Sequence, residues 1–259
     1  MQTQLFERFA PVIRSLTASE LNGSPSLYDR LRIAQDGKIG VCYTPFEFIN
    51  PQAKVVIVGI TPGRTQFLNA IREARRQLDL GADTDSTLFA AKQTGAFSGE
   101  LRPNLIGLLD HVGVNRWLGL QSSSALFGPA SNLVQTTSLL RNAVFVNGEN
   151  YNGSPVMTKH PLLREQLLTH FTDDARHFPD AVFIPLGDKV AEGLRYLVER
   201  GVIGSERVLD GIPHPSPQNI ERIRYFLGKK LRSDLSKKTN PDKLDRDRAM
   251  MLERISALG

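Results

Sequence analysis

Lys54-Val55-Val56-Ile57-Val58-Gly59-Ile60-Thr61-Pro62-Gly63-Arg64-Thr65 is the stretch whose reading decides the fold. Val55 to Val58 are all apolar and β-branched, the composition of a strand covered on both faces. A glycine–proline–glycine turn follows, and then an apolar periodicity of helical spacing over Gln66–Leu78. Working outward, three further runs have strand character: AVFV at Ala143–Val146, AVFIPL at Ala181–Leu186 and the weaker RVL at Arg207–Leu209. Helical patterns lie between them at Leu105–Val112, Pro161–His170 and Lys189–Arg200. Strands alternating with helices predict an α/β fold with a mostly parallel sheet. Ahead of this core, residues 1–53 read as a helix from Gln4 to about Leu16 and an irregular Gly/Pro/Ser-rich segment. Behind it, residues 229–259 read as an appended basic helix. The whole chain reads as a single domain with its core at 54–228.

The chain has 259 residues, 41% of them apolar and 23% charged, enough for a sizeable core and too apolar for a disordered chain. Its one cysteine, Cys42, excludes a disulfide framework, a cysteine–zinc site and an iron–sulfur cluster, and reads as a buried apolar filler. No stretch is long enough to span a bilayer and no leader is evident, so a soluble, cytoplasmic protein is expected. The formal net charge is +5. Between Lys229 and Gly259 stand nine Lys/Arg and five Asp/Glu, so the tail carries most of that excess. Such a segment suits phosphate backbones, or is simply a solvated helix of mixed sign.

In open α/β sheets ligands sit beyond the carboxyl ends of the strands. The residues there are Gly59–Thr65, Asn147-Gly148-Glu149-Asn150-Tyr151, Gly187-Asp188-Lys189 and Gly211–Asn219. The first is one residue short of a P-loop and has Arg64 where lysine belongs, and it is not a dinucleotide fingerprint. Read alone, it is a rigid turn. The last holds His214-Pro215-Ser216-Pro217, where two prolines fix φ around a serine beside a histidine. That is a stiff mount for an imidazole and a hydroxyl, and it reads as functional.

Together these residues resemble the uracil-DNA glycosylase superfamily. Gly59–Gly63 is similar to its G-x-x-P-G first motif and His214–Pro217 to its H-P-S-P last motif. Between them Ala96-Phe97-Ser98-Gly99 resembles the phenylalanine-containing segment, and Asn147 the base-reading asparagine. The likeness runs in order from about Lys54 to Leu227. It implies a three-layer αβα fold around a short, mostly parallel four-stranded central sheet. It also implies a monomeric, DNA-binding, monofunctional glycosylase that needs neither cofactor nor metal. The enzyme would rotate a nucleotide out of the stack and hydrolyse its glycosidic bond, leaving an abasic site. On this reading Phe97, Ile60 and Asn147 contact the base, and His214 stabilises negative charge on the departing base. Pro62, Gly63, Arg64, Ser216, Pro217, Gln218, Asn219, Arg222 and Arg224 contact DNA; for the two helix arginines a solvated face is an equal alternative.

The sequence departs from that family at Thr61, where efficient uracil enzymes carry aspartate. Threonine holds a water but is no base near neutral pH. Glu149 is the nearest carboxylate that could assist, or an exposed loop acid. About thirty residues separate the first motif from Phe97, among them Arg72, Arg75, Arg76 and the acidic turn Asp83-Thr84-Asp85. They would admit a bulkier base, such as a modified cytosine of phage DNA, or be surface elaboration. The expected function is therefore excision of a damaged or modified pyrimidine, in repair or antiviral defence. The rivals are a non-catalytic nucleic-acid-binding module and a small-molecule enzyme on the same scaffold.

Overall fold

The structure is a computed structural model that describes residues 4–258. It is a mixed α/β protein with two sheets, and its chain divides into two compact units. Among the described residues the strands are β1 (Arg32–Asp36), β2 (Ile39–Cys42), β3 (Val55–Gly59), β4 (Val134–Ser138), β5 (Ala143–Val146), β6 (Glu149–Asn150) and β7 (Val182–Pro185). No helix among them is long and apolar enough to cross a membrane.

One unit comprises residues 50–59, 99–135 and 178–259. It holds β3 and β7, paired in parallel with Val55 opposite Val182 and Val58 opposite Pro185. Every residue of both strands is buried, as their unbroken apolar sequences require. β4 completes the sheet on the other side of β3, in the order β4-β3-β7, with Lys54 N donating to Leu133 O. The expected four-stranded, mostly parallel central sheet is thereby corrected to three strands. The Arg207–Leu209 run supplies no strand: Arg207 ends a 3-10 turn, and Val208 makes an isolated parallel bridge to Phe183. β4 (VQTTS) was not anticipated, because its polar side chains hide a buried segment. Gln135 is buried, and its Oε1 accepts from Asn50 N while Asn50 Nδ2 donates to Val134 O. Around this sheet pack helices Leu101–Val112, Asp188–Val198, Ile220–Phe226 and Pro241–Ser256. The last is the basic tail. It starts at an Asn240 cap and buries Leu244, Met251 and Ile255, so it is a packed helix.

The other unit comprises residues 1–49, 60–98 and 136–177. Its sheet has the order β1-β2-β5-β6 and is antiparallel throughout, so the Ala143–Val146 run belongs here and not to the parallel sheet. Two tight hairpins build it. Gly37-Lys38 joins β1 to β2 with Gly37 at φ 53°, and Asn147-Gly148 joins β5 to β6 with φ of 52° and 78°. Left-handed backbone at two-residue turns matches the twist of the paired strands, which is why Gly and Asn stand there. Helix Gln4–Arg14 agrees with the predicted N-terminal helix. Helices Arg64–Asp79 and Thr84–Gly95 lie so close that a Cβ on Gly95 would sit 2.9 Å from both Ala70 Cβ and Gln66 O. The acidic turn at Asp83 is the second helix's cap, its side chain accepting from Ser86 N at 2.7 Å. Arg75 and Arg76 are likewise committed, to Asp79 and Glu73. Cys42 is buried, and burial pushes its thiol up to about 11.

Candidate functional site

The loop after β3 is fastened by its threonine. Thr61 Oγ1 donates to Asn142 O at 2.9 Å and accepts from Val144 N at 3.1 Å, tying Ile60–Gly63 to the start of β5. Thr44 repeats the device from the other side: its Oγ1 accepts from Ala143 N at 3.0 Å, and its N–H donates to Asn142 Oδ1 at 3.1 Å. Asn142 is therefore held by its oxygen while its Nδ2 is buried. That residue is 1% exposed, and its Nδ2 has no partner among the described residues. A buried amide donor left unpaired costs about 1–3 kcal/mol.

A second unpaired atom lies three residues past Thr44. Glu47 is 3% exposed; Tyr43 Oη donates to its Oε2 at 3.1 Å, and its Oε1 has no partner. Burial pushes its carboxyl up to about 7, partly offset by the Tyr43 bond and by the charges of Arg141 and Lys92. Lys92, 4% exposed, donates to Phe48 O at 2.5 Å, and burial pulls it down to about 7. Arg141 forms a fully buried pair with Asp174 and also donates to His170 O at 3.4 Å. His170 and Asp174 flank or lie within a wide turn, Leu167–Phe171, that interrupts the helix following Pro161. Burial and Arg141 lower the His170 imidazole to about 4. Glu47, Lys92, Arg141 and Asp174 thus concentrate ionisable groups in the interior of one unit.

The residues singled out from the sequence in this unit fall differently. Asn147 is exposed at the β5–β6 turn, and its N–H donates to Lys38 O. Its left-handed backbone serves the hairpin, which an Asn-Gly pair signals directly. Glu149 is exposed opposite Val146. Ile60 accepts from Leu140 N, Pro62 is buried, and Gly63 caps helix Arg64–Asp79. Arg64 N donates to Asn150 Oδ1, and its guanidinium donates to Gly148 O while lying over the rings of Tyr28 and Phe145. Phe97 is buried with φ 49°, a conformation that costs an aromatic residue energy and persists only where the surroundings enforce it.

The other unit carries the histidine loop. His214 packs against Gly187 at the end of β7, where φ is 89° and a Cβ would come within 3.0 Å of His214 Cβ. Its Nδ1 accepts from Ser216 N at 3.2 Å, which leaves the neutral ring's proton on Nε2. Burial lowers its pKa below the ordinary 6.5, so near pH 7 the ring is an uncharged Nε2–H donor. Asn104 Nδ2 holds Pro215 O at 3.0 Å, and Asn219 closes the turn through Ser216 O and, at 3.4 Å, Ser216 Oγ. Pro217 and Gln218 share that turn, Gln218 exposed. Arg222 and Arg224 are exposed on helix Ile220–Phe226, and Arg222 donates to Lys238 O.

Sequence reading missed Asn142, Glu47 and Lys92, yet signals for them exist. Glu47 is a lone carboxylate in the apolar run Phe46–Ile49, and Lys92 shares a helix face with Leu88 and Gly95. Asn142 stands at the amino end of its strand, the end that the strand-end rule passes over.

These features define a mixed α/β protein in which each of two units carries a preorganised polar loop after a strand of a parallel sheet or beside one of an antiparallel sheet. Its sequence is 34% identical over 223 residues to "Uncharacterized protein YoxB" of Bacillus subtilis (strain 168), spanning 85% of this chain and 87% of that one, and the chain belongs to the same family as that protein. No family model matches the chain, and no solved structure matches it.

Proposed function

We propose that this chain is a monofunctional DNA glycosylase that excises a damaged or modified pyrimidine and leaves an abasic site. The observation that carries the reading is the buried, unpaired Nδ2 of Asn142, whose side-chain oxygen accepts from Thr44 N and whose backbone carbonyl accepts from the threonine that fastens the G-x-x-P-G loop. An amide held in this way reads a carbonyl or ring-nitrogen acceptor on the edge of a flipped base, a task first assigned to Asn147. Glu47 Oε1 is available to a neighbouring N–H. His214, in the other unit, supplies an Nε2–H donor of the kind that stabilises negative charge on a departing base. The C1′–N bond breaks with its electron pair moving to the base, a water oxygen bonds to C1′, and the water's proton leaves to solvent.

Thr61 takes no proton in this scheme, because its own hydroxyl hydrogen is spent on Asn142 O. Its remaining lone pair accepts from a water and orients it, which suits a dissociative reaction at modest rate. A Schiff-base route has little support, since Lys92 is bound to Phe48 O and Lys189 to Glu192. The same Thr61 clamp and the absence of a carboxylate in Ile60–Gly63 favour, as a second reading, a module that binds nucleic acid without cleaving it.

The test is incubation with oligonucleotides carrying uracil, other deaminated bases, mismatched thymine or modified cytosines, followed by alkali. Alkali-labile breaks that fall roughly a hundredfold or more in rate with His214→Ala, and comparably with Asn142→Ala, are expected. Tight binding with no breaks on any base supports the inert module instead, and neither binding nor breaks removes both readings.

A further inference from the structure

The first unit contains a cavity of about 480 Å³, and its lining includes Arg64 and Asn147, both singled out from the sequence. Its lining includes two aromatic rings: Tyr28 and Phe145 meet edge to face at 5.1 Å, and Arg64 lies over both. Its lining is also rich in cations. Arg32, Lys38 and Arg64 face a single carboxylate, Asp29, which is already paired with Arg32. Arg64 donates to a backbone carbonyl, that of Gly148, and not to an acid. Two cations are left without a counter-charge in the lining.

The walls are preformed. The tips of both hairpins meet here, Asn147 N donating to Lys38 O at 2.9 Å, and Asn150 Oδ1 fixes the backbone of Arg64. A rigid cavity loses little free energy on filling. Its volume lies within the usual range for small-molecule sites and far exceeds what a bare anion needs. Excess positive charge, an aromatic and guanidinium surface for stacking, and the amide heads of Gln35 and Asn147 together match one class of ligand.

We propose that this cavity binds one nucleotide, its phosphate on Lys38 and Arg64 and its base against the Tyr28–Arg64–Phe145 surface. The inference does not rest on the glycosylase reading, because binding is measured without excision. The ligand has two sources, a free mononucleotide or a nucleotide within a strand.

The experiment is titration calorimetry of the full chain with 5′-deoxymononucleotides, the matching nucleosides, inorganic phosphate and a short single-stranded oligonucleotide, repeated with Lys38→Glu. Lys38 is exposed at a turn, so this variant keeps the fold. Mononucleotides are expected to bind at least tenfold more tightly than either nucleoside or phosphate. Lys38→Glu should weaken them tenfold or more, and added salt should weaken them in the wild type. Competition between mononucleotide and oligonucleotide assigns the cavity to a strand, and its absence assigns it to a free nucleotide. Mononucleotide affinity equal to that of phosphate, or unchanged by Lys38→Glu, overturns the proposal. Excision that persists when this binding fails leaves the glycosylase reading standing by itself.

Discussion

Replacing Glu47 with glutamine should stabilise the protein in mild base and not in mild acid. Glu47 is a buried carboxyl whose pKa rises from the ordinary 4.5 to about 7 on folding. The folded chain therefore holds a proton that the unfolded chain has released between those values. The sign follows from linkage: the contribution of this group is full below pH 4.5, falls as pH rises through 7, and is lost above it. The interval from 4.5 to about 7 corresponds to about 3 kcal/mol, of which about 2 to 3 kcal/mol is spent between pH 5 and pH 8. Glu47→Gln keeps an acceptor for Tyr43 Oη and removes the titration. Urea unfolding of both proteins at pH 5 and pH 8 gives the change in stability at each. The variant's stability relative to wild type should rise by about 2 to 3 kcal/mol from the lower pH to the higher. Lys92, drawn down to about 7, titrates in both proteins and feels the Glu47 charge, so the difference between them reports Glu47 together with its effect on Lys92. A difference independent of pH, or a variant weakest at pH 8, refutes the reasoning.

Two further outcomes are expected. Asp174→Asn strips the counter-charge from Arg141, which stays buried, and should cost about 3–5 kcal/mol in the same unfolding assay at pH 7; a cost below about 1 kcal/mol means that Arg141 finds another partner. Gly95→Ala places a methyl 2.9 Å from Ala70 Cβ and from the Gln66 carbonyl, and should cost about 1–3 kcal/mol, read as a lowered urea midpoint; an unchanged midpoint means that the two helices part without penalty.

What could be read from the sequence depended on how each element meets its surroundings. β3 and β7 are buried on both faces, so their residues are apolar without interruption and announce themselves. β4 is also buried, but through Gln135 and its bond to Asn50, and nothing local marks a polar residue as satisfied from 85 positions away in the chain. β1, β2 and β6 were missed for another reason. They are short and half-solvated, and their surest signs are the turns Gly37-Lys38 and Asn147-Gly148, the second of which also reads as the end of a recognition strand. His214 was conspicuous because its prolines constrain the chain where they stand. Asn142 and Glu47 matter because packing removes them from water and leaves one polar atom of each unpaired, a property that arises only once the fold exists.

The C-terminal helix has a further consequence. Lys243 donates to Asp188, the residue after the glycine on which His214 rests, and Gly211, three residues before that histidine, lies against Met251 and Asp247 O. Arg254 holds the carbonyls of Glu206 and Val208 just upstream. The last stretch of the polypeptide is thus a brace for the imidazole at both of its approaches. A copy ending before Pro241 would keep every side chain of the histidine loop and lose these contacts to the segments that lead into it.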